Sequence, residues 1–438
     1  MAYDILEMVK NSGIVGAGGA GFPTHVKLNA KVEYIIVNGA ECEPLLRANQ
    51  QMMEIYSKEL WNALQIVVKL TGASFGVIAL KYKYKNAIES LERDKPKDEK
   101  FSIHQLRDFY PAGDEQVIVY EVTKRVVPEG GIPLKVGCVV INVETLLNVF
   151  YALEGIPVTH KFVTVTGAVR NPITVKVPIG IKIKKLINLA GGATVDNYKI
   201  IDGGPMMGSL TNDEGVVTKT TGGIIVLPED HKAIIFNEVS LRQSILRARA
   251  ACCQCRICTD MCPRYLLGHD LEPHKIMRSV GSGVVGAQIT NAFLCSECAV
   301  CDKYACPMGL SPRTINKMLK AELSKAGIKN PHSRAGLLPP ESRNWRKIPS
   351  SRLISRLGLE DYDLPAPIVN MEINSDEVCI SLKQHIGKSS VPVVKVGDKV
   401  EFGQLIGVIP ENSIGANIHA SITGTVTEIN QHVIIKGL

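Results

Sequence analysis

Residues 32–37 read VEYIIV, a β-branched run with the content of a short buried strand. Over 55–70, Leu60, Leu64, Val67 and Val68 recur near one face of a helix. The pattern then predicts a strand over 75–80 and a helix over 84–92, with further strands over 117–123 (VIVYEVT) and 136–142 (VGCVVIN). Strands alternating with helices imply an α/β domain with a largely parallel sheet, closing near Gly155. From 159 to 227 short strands are punctuated by glycine. A helix over 183–190 is stopped there by Gly191 and Gly192, which tolerate positive φ. A later helix is predicted over 312–323, with proline near its start. From 368 onward the pattern becomes short alternating segments with Gly397, Gly403, Gly407 and Gly424 at turns, an all-β ending.

These patterns divide the chain into an α/β domain (1–155), a small mixed unit (156–236), a cysteine-bearing unit (237–327), a linker rich in Pro, Ser and Arg (328–367) and a β domain (368–438). The linker reads as a segment that wraps or tethers. Lysine and arginine total 50 against 43 acidic residues, and the excess is not gathered into one basic block. That argues against a nucleic-acid surface, which needs such a cluster. No segment approaches the roughly 18 apolar residues that would span a bilayer, and residues 1–10 lack the basic start and apolar run of an export signal. The expectation is a cytoplasmic protein with no direct membrane span and no nucleic-acid partner.

Chemistry enters with the 12 cysteines. Cys252, Cys255, Cys258 and Cys262 follow the spacing C-x2-C-x2-C-x3-C before Pro263. Cys295, Cys298, Cys301 and Cys306 repeat it with a longer last interval before Pro307, after an intervening stretch containing GSGVVGAQ. Three thiolates at two-residue intervals let one tight loop wrap three irons of a cubane, and the fourth reaches a second cluster. The ligation predicted is therefore crossed. Cys252, Cys255, Cys258 and Cys306 hold one [4Fe–4S] cluster, and Cys295, Cys298, Cys301 and Cys262 hold the other. Structural zinc also accepts four thiolates, but it rarely uses three cysteines at this rhythm twice. Cys253 reads as a bystander, and Cys42, Cys138 and Cys379 as small buried apolar side chains.

Residues 13–23, GIVGAGGAGFP, could cradle a phosphate with backbone N–H groups. The fingerprint G-x-G-x-x-G can be laid on Gly16, Gly18 and Gly21, but no strand precedes it, so an ordinary Rossmann site is not predicted. Lys27, Asn38, Glu41 and Glu43, then Asn142, Glu144 and Thr145 at a strand end, make a polar set of the kind that binds ligands at the edge of a parallel sheet. Taken singly, each of these residues fits a solvated turn or a helix cap equally well.

The stretches GAGGAGFPTHVKL, NGAECEPLLR, YPAGDEQ and NVETL, together with VTVTGAVRNP, IDGGPMMG and the paired cysteine groups, resemble the RnfC family over most of the chain. The flavin domain of that family is in turn similar to the NADH-oxidising flavin subunit of respiratory complex I. The resemblance implies a multidomain α/β protein: an α/β flavin domain, an SLBB β-grasp module, a helical ferredoxin-like dicluster domain and a C-terminal barrel-sandwich domain. It implies FMN held by Gly16, Gly18, Gly19, Gly21, Lys27, Asn38, Asn142, Glu144 and Thr145, with Glu41 and Glu43 in the catalytic position beside flavin and nicotinamide. Ala40 and Cys42 depart from the complex I pattern, which has aspartate and a serine-like residue there.

Residues 385–429 resemble biotinyl and lipoyl domains, but the tip over 420–426, ASITGTV, has no lysine, so a docking module is expected rather than a swinging arm. Its place after the cysteines resembles shorter relatives that serve soluble partners, among them a cobalamin reductase of propanediol-utilising microcompartments and the RnfC-like subunit of acetogen methylenetetrahydrofolate reductases. The implied function is oxidation of NADH (NAD(H) as substrate) through FMN, with single electrons leaving by two [4Fe–4S] clusters. The acceptor would be a soluble partner reductase in a hetero-oligomeric complex, or a corrinoid. The alternative is a relay or docking subunit fed by another flavoprotein, and location in a bacterial microcompartment stays open.

Overall fold

The computed structural model describes residues 2–283, 286–371 and 373–437. Val284 and Val285, in the glycine-rich stretch between the cysteine groups, lie outside them, as does Leu438 of the β ending. The first domain is built on four parallel strands, β1 (Tyr34–Asn38), β2 (Phe75–Lys81), β3 (Phe101–Leu106) and β4 (Cys138–Asn142), in the order β3-β2-β1-β4. The sheet is covered on both faces, so β1, β2 and β4 are apolar over most of their length, whereas the edge strand β3 (FSIHQL) carries polar residues. Ile35 and Val37 point into one core with Leu64 and Val67 of the helix Ser57–Thr71, and Ile36 points into the other with Phe109 and Val140.

The chain runs from β1 outward to β2 and β3, then returns to place β4 on the other side of β1. That reversal is the switch point at which open α/β sheets bind ligands. Asn38 and Asn142 are register partners there.

One expected strand is a helix. VIVYEVT lies within Glu115–Thr123, whose start is capped by Asp114 accepting from the N–H groups of Gln116 (3.0 Å) and Val117 (3.1 Å). The cap and burial of one side override the β-branched composition. The segment before the glycine loop is the helix Ala2–Asn11, in keeping with the absence of a Rossmann strand.

The second unit is a six-stranded mixed sheet containing His160–Gly167, Ile173–Pro178 and Gly223–Pro228, with the helix Ile183–Leu189 packed on it. In the cysteine unit, the helices Leu241–Ala251, Pro273–Ser282 and Pro312–Lys325 meet around Ala248, Ile276, Met277 and Ile315.

The predicted linker is a structured strap. Ile348–Pro349 pairs antiparallel with Phe109–Tyr110, and the helix Ser350–Leu357 buries Leu353 and Leu357 in a core shared with Leu45, Tyr110, Cys298 and Val300. The C-terminal domain consists of a four-stranded and a three-stranded antiparallel sheet whose core is continuous with that of the first domain.

Candidate functional site

The glycine loop is gripped from the start of the helix Val143–Leu153. Asn142 caps that helix, accepting from the N–H of Glu144 (2.9 Å) and Thr145 (3.4 Å). Thr145 Oγ1 accepts the Ala17 N–H at 2.9 Å, and Lys161 Nζ donates to the Ala17 carbonyl at 3.4 Å. Lys161 also forms a buried ion pair with Glu144, whose other oxygen accepts the Phe162 N–H at 3.0 Å. Both Glu144 oxygens are thus engaged within the chain, and the residue holds the loop's supports rather than presenting a free carboxylate to FMN.

Gly18 lies against Asn142. Gly19, at φ +119°, faces open space, and Gly16 is bonded across the loop to Phe22. Gly21 meets the C-terminal domain: its carbonyl accepts the Ile386 N–H at 3.0 Å. Lys219 adds a clamp no motif signalled, donating to the carbonyls of Gly13 (2.6 Å) and Asn417 (2.7 Å). Burial pushes its pKa down to about 7.

Lys27 donates to Glu115 (2.5 Å) and to the Val140 carbonyl (2.8 Å), leaving one ammonium hydrogen for a ligand. Asn38 is tied to the Gly113 carbonyl at 2.8 Å and the Ala40 N–H at 3.1 Å. The open face at Gly19, beside Asn142 at the switch point, suits a flavin phosphate.

Glu41 and Glu43 lie in the turn after β1 and line a cavity of about 240 Å³ with Arg47, Lys81, Lys83 and Tyr84. Glu41 accepts from the Glu43 N–H (3.1 Å) and from Asn49 (3.0 Å), and burial raises its pKa. Glu43 accepts the N–H groups of Met206 (2.8 Å) and Met207 (3.0 Å), capping the GGPMMG turn of the second unit. Burial and the neighbouring Glu41 charge raise it to about 7, against the lowering effect of those N–H groups and of Lys303.

The cysteines fall into two groups in space. Cys252, Cys255, Cys258 and Cys306 line one pocket, together with the exposed Cys253, with Met277 and Leu310 behind them. Cys262, Cys295, Cys298 and Cys301 are one another's electrostatic neighbours, apart from that pocket. The two loops share an unusual backbone. Gln254 and Arg256 flank Cys255 at φ +56° and +68°, and Glu297 and Ala299 flank Cys298 at φ +59° and +60°. Non-glycine residues in that region cost about 1–2 kcal/mol each, a strain that metal binding can offset. All-thiol donor sets on such loops fit [4Fe–4S] clusters. Backbone N–H groups approach the sulfurs, with Glu297 N 3.3 Å from Cys295 Sγ and Leu310 N 3.4 Å from Cys306 Sγ, contacts of the type that tune potential.

A seam joins the two chemistries, and it runs through YPAGDEQ, a motif whose residues carry no role that spacing alone could signal. Tyr110 donates its hydroxyl to the Cys298 carbonyl at 2.7 Å. Asp114 receives Arg264 in a bidentate pair (2.6 and 3.0 Å) two residues after Cys262. Glu115, next to Asp114, is the partner of Lys27 on the flavin side. Lys303, between Cys301 and Cys306, donates to the Pro205 carbonyl (2.7 Å) in the turn that Glu43 caps.

Family models match in the same order along the chain. These are the Nuo51 FMN-binding domain over residues 9–151, the SLBB domain over 162–209, a 4Fe-4S dicluster domain over 251–311 and the RnfC barrel-sandwich hybrid domain over 363–438. The chain is 45% identical to the cobalamin reductase PduS of Citrobacter freundii, covering 100% of this chain and 97% of that one. With the PduS of Salmonella typhimurium LT2 it shares 46% identity, covering 99% and 96%. One component of the Na(+)-translocating ferredoxin:NAD(+) oxidoreductase complex of Acetobacterium woodii is 34% identical over 60% of this chain and 58% of its own. With the flavin and thiolate sites joined at one seam and all four modules matched, the chain belongs to the RnfC/PduS-like iron–sulfur flavoproteins, oxidoreductases that carry FMN and two [4Fe–4S] clusters.

Proposed function

We propose that the protein oxidises NADH at the switch point of its first domain and delivers single electrons to a partner redox protein or a corrinoid by way of two thiolate cages. FMN supplies the conversion from two-electron hydride chemistry to one-electron chemistry, and [4Fe–4S] clusters carry one electron at a time. The observation that carries the reading is the seam. Residues 110–116 touch Lys27 and Asn38 of the flavin-side polar set on one side and the Cys298 loop and Arg264 on the other.

In this reading Gly18, Gly19, Lys27 and Thr145 hold the phosphate end of FMN, and Asn38 and Asn142 set its edge at the ends of β1 and β4. Glu41 faces the incoming nicotinamide from the 240 Å³ cavity, and Glu43 positions that turn against the second unit. Cys262, Cys295, Cys298 and Cys301 ligate the inner cluster, next to the flavin domain. Cys252, Cys255, Cys258 and Cys306 ligate the outer one. That order refines the crossed ligation expected from spacing by saying which set stands nearer the flavin.

Likeness to PduS, named a cobalamin reductase, supports a corrinoid acceptor, and likeness to a component of a ferredoxin:NAD(+) oxidoreductase complex supports membership of a multisubunit assembly. Among the described residues no helix is long and apolar enough to cross a membrane.

The test is a visible spectrum of anaerobically purified, cofactor-loaded protein before and after NADH. Bleaching of flavin followed by loss of cluster absorbance is the expected result. Flavin untouched by NADH while dithionite bleaches it overturns nicotinamide entry.

A further inference from the structure

Between the cysteine loops and the strap lies an open groove of about 590 Å³ that none of the assigned chemistry uses. One wall comes from inside the cysteine loops: Ile257 precedes Cys258, Met261 precedes Cys262, and Tyr304 and Ala305 precede Cys306. The other wall is the strap, with Trp345, Arg346, Arg352 and Arg356.

The strap side is cationic and free. Arg346 and Arg352 are exposed and have no ion-pair partner among the described residues. Arg356 makes only a 3.4 Å contact to the Cys306 carbonyl, which places the groove against an outer ligand. Lys347, at the floor, is neutralised by Glu121 at 2.9 Å. Among the described residues no acidic side chain lines the groove. Trp345 stands in this basic field at 87% exposure, with Ile257 at 39%. A tryptophan left in water by folding, set among arginines, has the composition of an interface centre, where Trp and Arg carry most of the binding energy. The cations are exposed rather than converging on a buried point, which suits an acidic protein surface better than a small anion.

We propose that this groove is the docking site for an acidic redox partner protein, placed so that the partner's redox centre meets the outer thiolate set through the Cys306 and Cys258 backbone. The proposal rests on the outer set being the electron exit, and deepens that reading by naming the partner's chemistry. Opposite charges steer the encounter and fix its orientation, while Trp345 supplies the apolar contact.

The probe is cytochrome b5, a strongly acidic one-electron acceptor, compared with basic cytochrome c. Cofactor-loaded protein is reduced once with NADH and once with dithionite, so that failure of nicotinamide entry is distinguished from failure of docking. The charge-reversed pair R346E/R352E should lower the second-order rate of cytochrome b5 reduction about tenfold or more at low salt, with the gap closing at high salt. It should also lower the yield of carbodiimide cross-linking. Iron content, flavin content and reduction of a neutral quinone should not change. A control pair in a distant exposed turn, K97E/K100E, should leave the cytochrome b5 rate within about twofold, because screening confines the effect to nearby charges. Equal loss for both pairs would show a net-charge effect and overturn the site. So would an unchanged rate in R346E/R352E, or equal slowing of cytochrome c.

Discussion

The two cysteine loops, residues 252–258 and 295–301, share a backbone down to the two left-handed residues around the middle cysteine, yet they sit in different surroundings. In the inner set Cys262, Cys298 and Cys301 are buried, and Cys298 shares a core with Leu45, Tyr110 and Met206. In the outer set Cys255 is exposed, Cys252 and Cys258 are half-buried and only Cys306 is buried, whereas in the inner set only Cys295 is half-buried. One ligand geometry therefore serves two tasks, and the difference lies in what packs around it. A cluster that must receive electrons within the protein is enclosed by neighbouring domains, and one that must give them away is left at the rim. Burial and hydrogen bonding also set potential, so the asymmetry bears on direction as well as access.

Removing one ligand from each set should break the comparison most sharply. Cys298→Ser and Cys255→Ser should each lower iron content to about half, since each costs one of two clusters. Only in Cys255→Ser should NADH still bleach the surviving cluster, because the inner set remains beside the flavin domain. Cys262→Ser should behave like Cys298→Ser in iron content and electron paramagnetic resonance. If it instead matched Cys255→Ser, the crossed ligation would be wrong.

The seam that encloses the inner set gives the next effect. Arg264 and Asp114 are a bidentate pair with side chains 9% and 11% exposed. Arg264→Ala leaves the buried Asp114 carboxylate without its counter-charge, held only by the two N–H groups it caps, which should cost about 3 kcal/mol in denaturant unfolding. The double variant Asp114→Asn/Arg264→Met should recover a large part of that loss. A single-variant loss below about 1 kcal/mol, the range of exposed pairs, would mean that the seam is wet and the inner set less enclosed than it stands here.

How much of this is readable from sequence follows from sequence distance. The ligand loops are local, and a two-residue rhythm of thiols has few physical explanations, so spacing alone points to two sets and to their crossing. The glycine loop and the NVET segment are legible as a pair only through resemblance. Their actual connection, through Thr145, Lys161 and the Ala17 backbone, spans more than 120 residues and leaves no periodic trace. Tyr110, Asp114 and Arg264 are out of reach for the same reason, and Lys219 reads from sequence as one more surface lysine. VIVYEVT reads wrongly as a strand because β-branched composition says what buries well, whereas the Asp114 cap decides that the segment winds as a helix. The strap looks like a linker because proline and arginine dominate it, although Leu353 and Leu357 anchor it in the core.

Acid should weaken one contact across the seam. His269 Nε2 lies 3.0 Å from the Val127 carbonyl across the seam, and burial, then Arg264, pushes its pKa down to about 4 from 6.5. With the folded value below the unfolded one, the unfolded chain binds more protons between those limits, so stability falls as pH drops through that window. At pH 5.5 the loss relative to pH 7.5 should be about 1 kcal/mol from this residue. His269→Gln should remove that part of the slope, read from anaerobic denaturant midpoints at the two pH values. An unaltered slope would assign the acid sensitivity to other groups.

The smallest effect tests the equivalence of the loops itself. Superposing them by their cysteines pairs Cys252, Cys253, Gln254 and Cys255 with Cys295, Ser296, Glu297 and Cys298, so the residue matching Cys253 is already a serine. Cys253 is exposed, and its loop has the same left-handed turns as the loop that carries Ser296. Serine at 253 therefore asks nothing of the backbone that the inner loop does not already satisfy. Cys253→Ser should keep iron content and both cluster signals, with stability changed by no more than about 0.5 kcal/mol, as for a surface substitution away from any special feature. Loss of the outer cluster's signal in this variant, with Cys252→Ser tolerated in its place, would move the ligand by one residue. It would also end the match between the loops, because thiolates at 253 and 255 are separated by one residue where the inner loop has two.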